Sequence, residues 1–184
     1  HPRTLYTLPN GDVLVSLTRA PDMDKPGGGV FDAIKGWIEG LLMSQAGATG
    51  KSPNQIVLLR DADGNGSAET RKVIAQEGLD SPSGLAWFDG TLYVGNHNAV
   101  VAFPYALGAD AVSGPGRKIM DLAPGGGHWM RNLKLSPDGR LLYVAVGSVS
   151  NIGENGMAVE EGRALIWERD LVTGSQRQFA AGLR

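Results

Sequence analysis

The chain has 184 residues, a net charge of −2 and no cysteine. That length suits one domain with a sizeable core. The charge gives no broad attraction for nucleic acid or an anionic membrane, disulfide and thiolate chemistry are excluded, and no run of ~18 apolar residues is available for a membrane-spanning helix. Glycine is the outlier, at 27 residues, about twice the ~7% usual in proteins. Many glycines among short β-like runs predict tight turns and an all-β sandwich, barrel or propeller.

In chain order, the first element is LYTLPNGDVLVSL, residues 5–17, an alternating apolar run, an Asn-Gly turn and a second alternating run. Asn-Gly and Asp-Gly tolerate positive φ and favour tight hairpins. Two more β-like runs follow, QIVLLRD and ETRKVIA. The pattern returns as GLAWFDGTLYVG, residues 84–95, with AVVAFPY and RKIMDLA behind it. It returns again as LKLSPDGRLLYVAVG, residues 133–147, with ALIWERD and QRQFAAG behind it. Gly90 and Gly139 are 49 residues apart, and Gly11 and Gly90 are 79 apart. Removing an insertion of about thirty residues, 21–50, restores the period in the first unit. Four strands per repeat of ~40–50 residues is the pattern of β-propeller blades.

The expected organisation is therefore a single partial β-propeller domain over 1–184, with blade one at 1–77, blade two at 78–124 and blade three at 125–184. Within the insertion, Val30, Phe31, Ile34, Trp37, Ile38, Leu41 and Leu42 recur at helical spacing, predicting a helix packed over the propeller edge or acting as a lid. A propeller closes with roughly four to eight blades. The chain is thus expected to be a truncated or cleaved piece that opens inside a blade. The remaining blades would lie on a second chain or fragment, or the chain would self-associate.

Three loops carry candidate chemistry. DADGNGSAE, residues 61–69, places Asp61, Asp63, Asn65 and Glu69 at odd offsets, like the start of a calcium loop. The twelfth position, where a bidentate Glu belongs, is Lys72, so a turn closed by its own Asx hydrogen bonds competes with a structural Ca²⁺. GGGHWMRN, residues 125–132, leads into the third hairpin. It brings His128, whose imidazole type titrates near neutrality and suits proton abstraction. Trp129 is placed to stack on a planar ring and Arg131 to meet a carboxylate. GSVSNIGENG, residues 147–156, is a second polar loop at the same hairpin.

With those segments in view, the chain resembles the sorbosone dehydrogenase family, related to the soluble sugar dehydrogenases that use pyrroloquinoline quinone (PQQ). The likeness runs through SPNQIVLLRDADGNGSAE, LDSPSGLAWFDGTLYVGN, the span from GGGHWMRN to ALIWERD, and the terminal FAAGLR. It implies a six-bladed propeller, of which about three four-stranded blades are present here with one helical insertion. It implies PQQ and Ca²⁺ as cofactors and oxidation of a sugar, aldehyde or polyol in the periplasm or outside the cell. By resemblance His128 matches the family base and Arg184 the arginine near the cofactor. Arg131, Trp129, Asn132, Ser148 and Asn151 fall in the cofactor neighbourhood. Where the glucose-oxidising relatives have an aspartate before the histidine, this chain has Gly127, removing a group that would orient the imidazole. Two other readings stand beside the oxidoreductase. One is a non-catalytic propeller that binds a ligand or partner. The other is a metal-dependent lactonase drawing on Asp80, Asn96, Asn132 and Asn151.

Overall fold

The computed structural model describes residues 2–21, 52–124, 126–151, 153 and 156–183. The helix expected over 30–42 and Arg184 lie outside the described residues.

Among the described residues, twelve strands form three four-stranded antiparallel sheets. The first sheet is β1 Pro2–Thr7, β2 Val13–Leu17, β3 Gln55–Arg60 and β4 Thr70–Ala75. The second is β5 Gly84–Phe88, β6 Thr91–Gly95, β7 Ala99–Pro104 and β8 Arg117–Asp121. The third is β9 Arg131–Leu135, β10 Leu141–Val146, β11 Leu165–Asp170 and β12 Gln176–Ala181. Each sheet is a simple meander in strand order, so the chain folds as three propeller blades. In the first sheet β1 lies at one edge and β4 at the other. The predicted hairpins are all present. In blade two, Asp89 and Gly90 adopt φ of 42° and 77° between the paired Phe88 and Thr91, the two positive values that a two-residue hairpin of matching twist requires.

The first strands of neighbouring blades meet, β1 against β5 and β5 against β9. Gly84 on β5 makes the second contact possible. A Cβ there would lie 2.2 Å from the Arg131 carbonyl oxygen and 2.9 Å from the Leu133 nitrogen. Two apolar layers hold the blades together. Leu14, Ile56, Leu58 and Ile74 of blade one pack on Leu92, Val94 and Phe103 of blade two. Val100, Met120 and Leu122 of blade two pack on Leu142, Val144, Val146 and Leu165 of blade three. Each such side chain contributes ~1.5–3 kcal/mol by burial, so the inter-blade seams form the core. The buried Asp12 adds a polar clasp. Its carboxylate accepts from Arg60 Nε and Nη2, both at 2.9 Å. Arg60 also reaches Asp110 and the Gly108 carbonyl of blade two.

The meander sorts the loops by end. Links that follow odd-numbered strands, including 61–69, lie at one end of the blades. Links that follow even-numbered strands, including 76–83, 96–98, 122–130 and 147–164, lie at the other. The expected calcium loop and His128 are therefore at opposite ends. Among the described residues, no helix is long and apolar enough to cross a membrane.

Candidate functional site

The His128 loop extends the β9–β10 ladder past its last strand pair, Arg131 opposite Val146. The Gly127 amide donates to the Val149 carbonyl at 2.7 Å, and the His128 amide to the Ser148 carbonyl at 3.2 Å. On the other side, the Glu160 carboxylate accepts from the Val149 amide at 2.9 and 3.1 Å. The loop is thus zipped to its neighbour by backbone groups and anchored by one acid.

The imidazole is set by Ser148. His128 Nδ1 lies 3.2 Å from the Ser148 carbonyl oxygen and 3.1 Å from the Ser148 hydroxyl. That hydroxyl donates its one proton to the Ser150 carbonyl at 2.8 Å. Both neighbours of Nδ1 therefore accept, and Nδ1 must carry the proton. The lone pair is left on Nε2, which has no protein hydrogen bond among the described residues. His128 is exposed, and Ser148 and Ser150 behind it are buried. This is the arrangement of an oriented base with its basic nitrogen turned outward.

The absent aspartate at Gly127 is explained by the same contacts. A Cβ there would sit 2.8 Å from the Val149 carbonyl oxygen, so the backbone leaves no room for a side chain, and Ser148 supplies the orientation instead. Gly147 has a matching role that sequence reading did not find. A Cβ at Gly147 would lie 2.5 Å from His128 Cβ and 2.7 Å from its carbonyl oxygen. Its only signal was the Gly-rich composition of the loop, because the close approach is a contact between two separate segments.

Arg131 has a different place from the one expected. It is fully buried. Its Nη1 donates to the carbonyls of His128 and Met130, and its Nη2 to that of Ala123 at 2.8 Å. Among the described residues no carboxylate meets it, and burial, with the charge of Arg163 second, lowers its pKa to about 10. It remains charged at neutral pH and gathers three loop carbonyls beneath the histidine. Arg131 is thus a positioning residue, and its buried guanidinium is closed to a cofactor carboxylate. Ser83 fixes the same strand from blade two: its hydroxyl accepts from the Arg131 amide at 2.8 Å and donates to the Arg131 carbonyl at 3.2 Å. Trp129 is buried, with the Arg3 guanidinium 5.7 Å from its ring centroid. One face of the ring is therefore already covered by a cation.

The other candidates divide. Ser148 belongs to the histidine cluster, and the exposed Asn151 lies on the same loop. Asn132 is exposed on β9. Strand alternation places it opposite Arg131 and Leu133, which face blade two. Asp80 and Asn96 come together at one recess of blade two, away from Asn132 and Asn151, so the four lactonase candidates do not form one cluster. Ser150, which was not singled out, lends its carbonyl to the Ser148 hydroxyl, and its own buried hydroxyl has no partner among the described residues.

In the 61–69 turn, Asp61, Asp63 and Glu69 are close enough to share a cation, and all three are exposed. Their oxygens are engaged locally. Asp61 accepts from the amides of Gly64, Asn65 and Gly66, which hold its carboxyl below the usual range, the Gly66 amide most strongly. Asp63 accepts from Asn65, and Glu69 from the Ala62 amide and the Asn65 carboxamide. Asn65 accepts from the Ser67 amide. The Asx-closed turn is present, and the loop joins the outer strands β3 and β4.

Solved structures share this fold. The holo form of the pyranose dehydrogenase PQQ domain from Coprinopsis cinerea aligns with a TM-score of 0.62 and 16% identity, over 92% of this chain and 33% of that one. The calcium structure of a family AA12 carbohydrate-active enzyme from Trichoderma reesei gives 0.64 and 21%, over 94% and 36%. The PQQ-bound aldose sugar dehydrogenase from Streptomyces coelicolor gives 0.51 and 15%, over 92% and 44%. The chain thus spans a third to under half of the length of these structures. No curated protein matches it. The TrAA12-like family model matches residues 21–182, and the chain belongs to the TrAA12-like family.

Proposed function

We propose that this chain carries the base-bearing portion of a PQQ-dependent oxidoreductase that oxidises a sugar, aldehyde or polyol, with sorbosone-type substrates as the finer expectation. The observation that supports it most is the tautomer-fixed His128, with Nδ1 held by Ser148 and Nε2 free of protein partners among the described residues. In this reading Nε2 takes the proton of a substrate hydroxyl, and Ser148 holds Nδ1–H throughout. Bound PQQ would supply the two-electron acceptor for the hydride. The residues fit that group in part. Nε2 of the exposed His128 and the exposed Asn151 on the neighbouring loop are accessible to it, while the Ser150 hydroxyl is buried. Arg131 is closed to it, so Arg184 is the arginine proposed at the cofactor. Further blades would complete the site, on the same polypeptide, a second chain or a second copy. A Ca²⁺ at Asp61, Asp63 and Glu69 would be structural and remote. Periplasmic or secreted placement is proposed with the same family reading.

The test is dye-linked oxidation by the full-length protein, reconstituted with PQQ and Ca²⁺, across sugars, aldehydes and polyols. Turnover that requires PQQ and falls in His128→Ala is expected. Absence of quinone uptake and of turnover across the panel would transfer the site to the binding-module reading.

A further inference from the structure

A second polar site lies at the His128 end of the blades, outside the histidine cluster. It is a recess of about 700 Å³ where the link into β5, the β6–β7 turn and the segment after β8 converge. Its size is in the usual range for small-ligand sites, ~300–1,000 Å³. Leu79, Ala99, Val101 and Leu122 give it an apolar floor. Its polar groups are Asp80, Asn96, Asn98, Lys118 and Asp121.

Asn96 is the informative residue. It is 3% exposed. Its Nδ2 donates to the Gly78 carbonyl at 2.9 Å, and its Oδ1 has no partner among the described residues. Turning the amide over would set oxygen against the Gly78 oxygen, so the acceptor is the atom left open. A buried acceptor without a donor costs ~1–3 kcal/mol, and a group lining a recess can recover that from a ligand. Asn98 Nδ2 donates to Asp80 Oδ2 at 3.3 Å, and His97 Nδ1 lies 3.4 Å from the same oxygen. Asp80 remains half exposed. Lys118 is paired with Asp121 at 2.6 Å. Asn96 Oδ1 and Asp80 offer open acceptors, and Lys118 keeps N–H groups beyond the one on Asp121. A neutral ligand that both donates and accepts hydrogen bonds and rests an apolar face on the floor matches this set. Asp80 and Asp121 are not close enough to a third carboxylate or histidine to form a metal group among the described residues.

We propose that this recess is a carbohydrate subsite that takes one glycosyl unit, with a ring hydroxyl donating to Asn96 Oδ1 and a second to Asp80. Leu122 and Pro124 of the recess belong to the link after β8, so the subsite opens toward the same end of the blades as His128. The choice of a sugar among hydroxyl donors rests on the saccharide reading of the His128 site.

The experiment follows the Asn96 side-chain amide resonance by NMR in the intact, quinone-free protein. The probes are D-glucose, D-galactose, cellobiose and maltose, with glycerol as control. A saturable shift with at least one saccharide is expected, weakened about five- to tenfold in Asn98→Ala or Asp80→Asn and unchanged in His128→Ala. Both recess variants alter partly exposed groups and should leave the backbone spectrum intact. No shift with any saccharide overturns the proposal. So does an equal response to glycerol, or a shift that persists in both variants. Because quinone is absent, failure of the oxidase reading and failure of the subsite give different results: turnover without a saccharide shift removes only the subsite.

Discussion

The 61–69 turn and the His128 loop are both short, polar and glycine-rich, and they close in opposite ways. The turn closes on itself. Asp61, Asp63, Asn65 and Glu69 accept from amides inside the same turn, so its geometry needs no other part of the chain. The His128 loop is closed from outside, by Ser148 and Val149 on the next link and by Arg131 through carbonyls as far back as Ala123. Local closure occupies the acceptors that made the turn look like a metal site. Closure from a distance holds the imidazole at Nδ1 and leaves Nε2 open among the described residues. A density of polar residues thus does not mark a site; an unsatisfied atom held by satisfied neighbours does.

The comparison breaks first at His128. His128→Ala should lower oxidation by about 10²–10⁴ with quinone binding retained, measured by steady-state kinetics and cofactor titration. His128→Gln should not restore it, because an amide cannot take the proton. Gly147→Ala is the next test. The added methyl meets His128 Cβ, and a displacement of about 1 Å is enough to cost ~10²-fold in rate. The loss should appear in kcat, and because the methyl also meets the His128 carbonyl oxygen the melting temperature should fall by several degrees.

Asp12 asks whether distant closure also governs stability. Asp12→Ala removes both charge-assisted bonds of the clasp, leaves Arg60 with Asp110 and the Gly108 carbonyl, and should cost about 1.5–3 kcal/mol by denaturant unfolding. The Arg60 hydrogen bond holds the Asp12 carboxyl below its ordinary range. Its contribution is therefore complete above the unfolded carboxylate pKa and lost as pH falls through the lower folded value. Asp170, held at about 2 chiefly by the Thr173 amide and then by Arg140, has the same sign. Acid unfolding of wild type should steepen below pH ~4, and that part of the slope should shrink in Asp12→Ala.

Ser148→Ala sharpens the tautomer argument. The Ser148 carbonyl still accepts from Nδ1, so kcat should fall only about five- to tenfold. KM should hold, the pH–rate profile should move, and Ser148→Thr should recover most of the rate. The smallest effect belongs to the self-closed turn. Asp63→Ala, or chelation of divalent ions, should shift the melting temperature by ~2 °C or less and leave sugar affinity unchanged. Loss of ligand binding in Asp63→Ala without a change in melting would refute the separation of the two ends.

Much of this was legible in the residues. The Asn-Gly and Asp-Gly turns between alternating runs fixed twelve strands and their grouping by four, because turn chemistry and side-chain period are local properties. The odd spacing in 61–69 also declared its own turn, since its partners are neighbours in sequence. His128 could be singled out by its loop and its residue type. Its tautomer could not, nor could the roles of Ser148, Gly147 and Arg131. Those depend on β9 lying against β10 and β5, which brings together atoms from segments far apart in the chain. The open acceptor of Asn96 is of the same kind. Sequence shows an asparagine; only the packing of blade two around it decides that one of its atoms is buried and left without a donor.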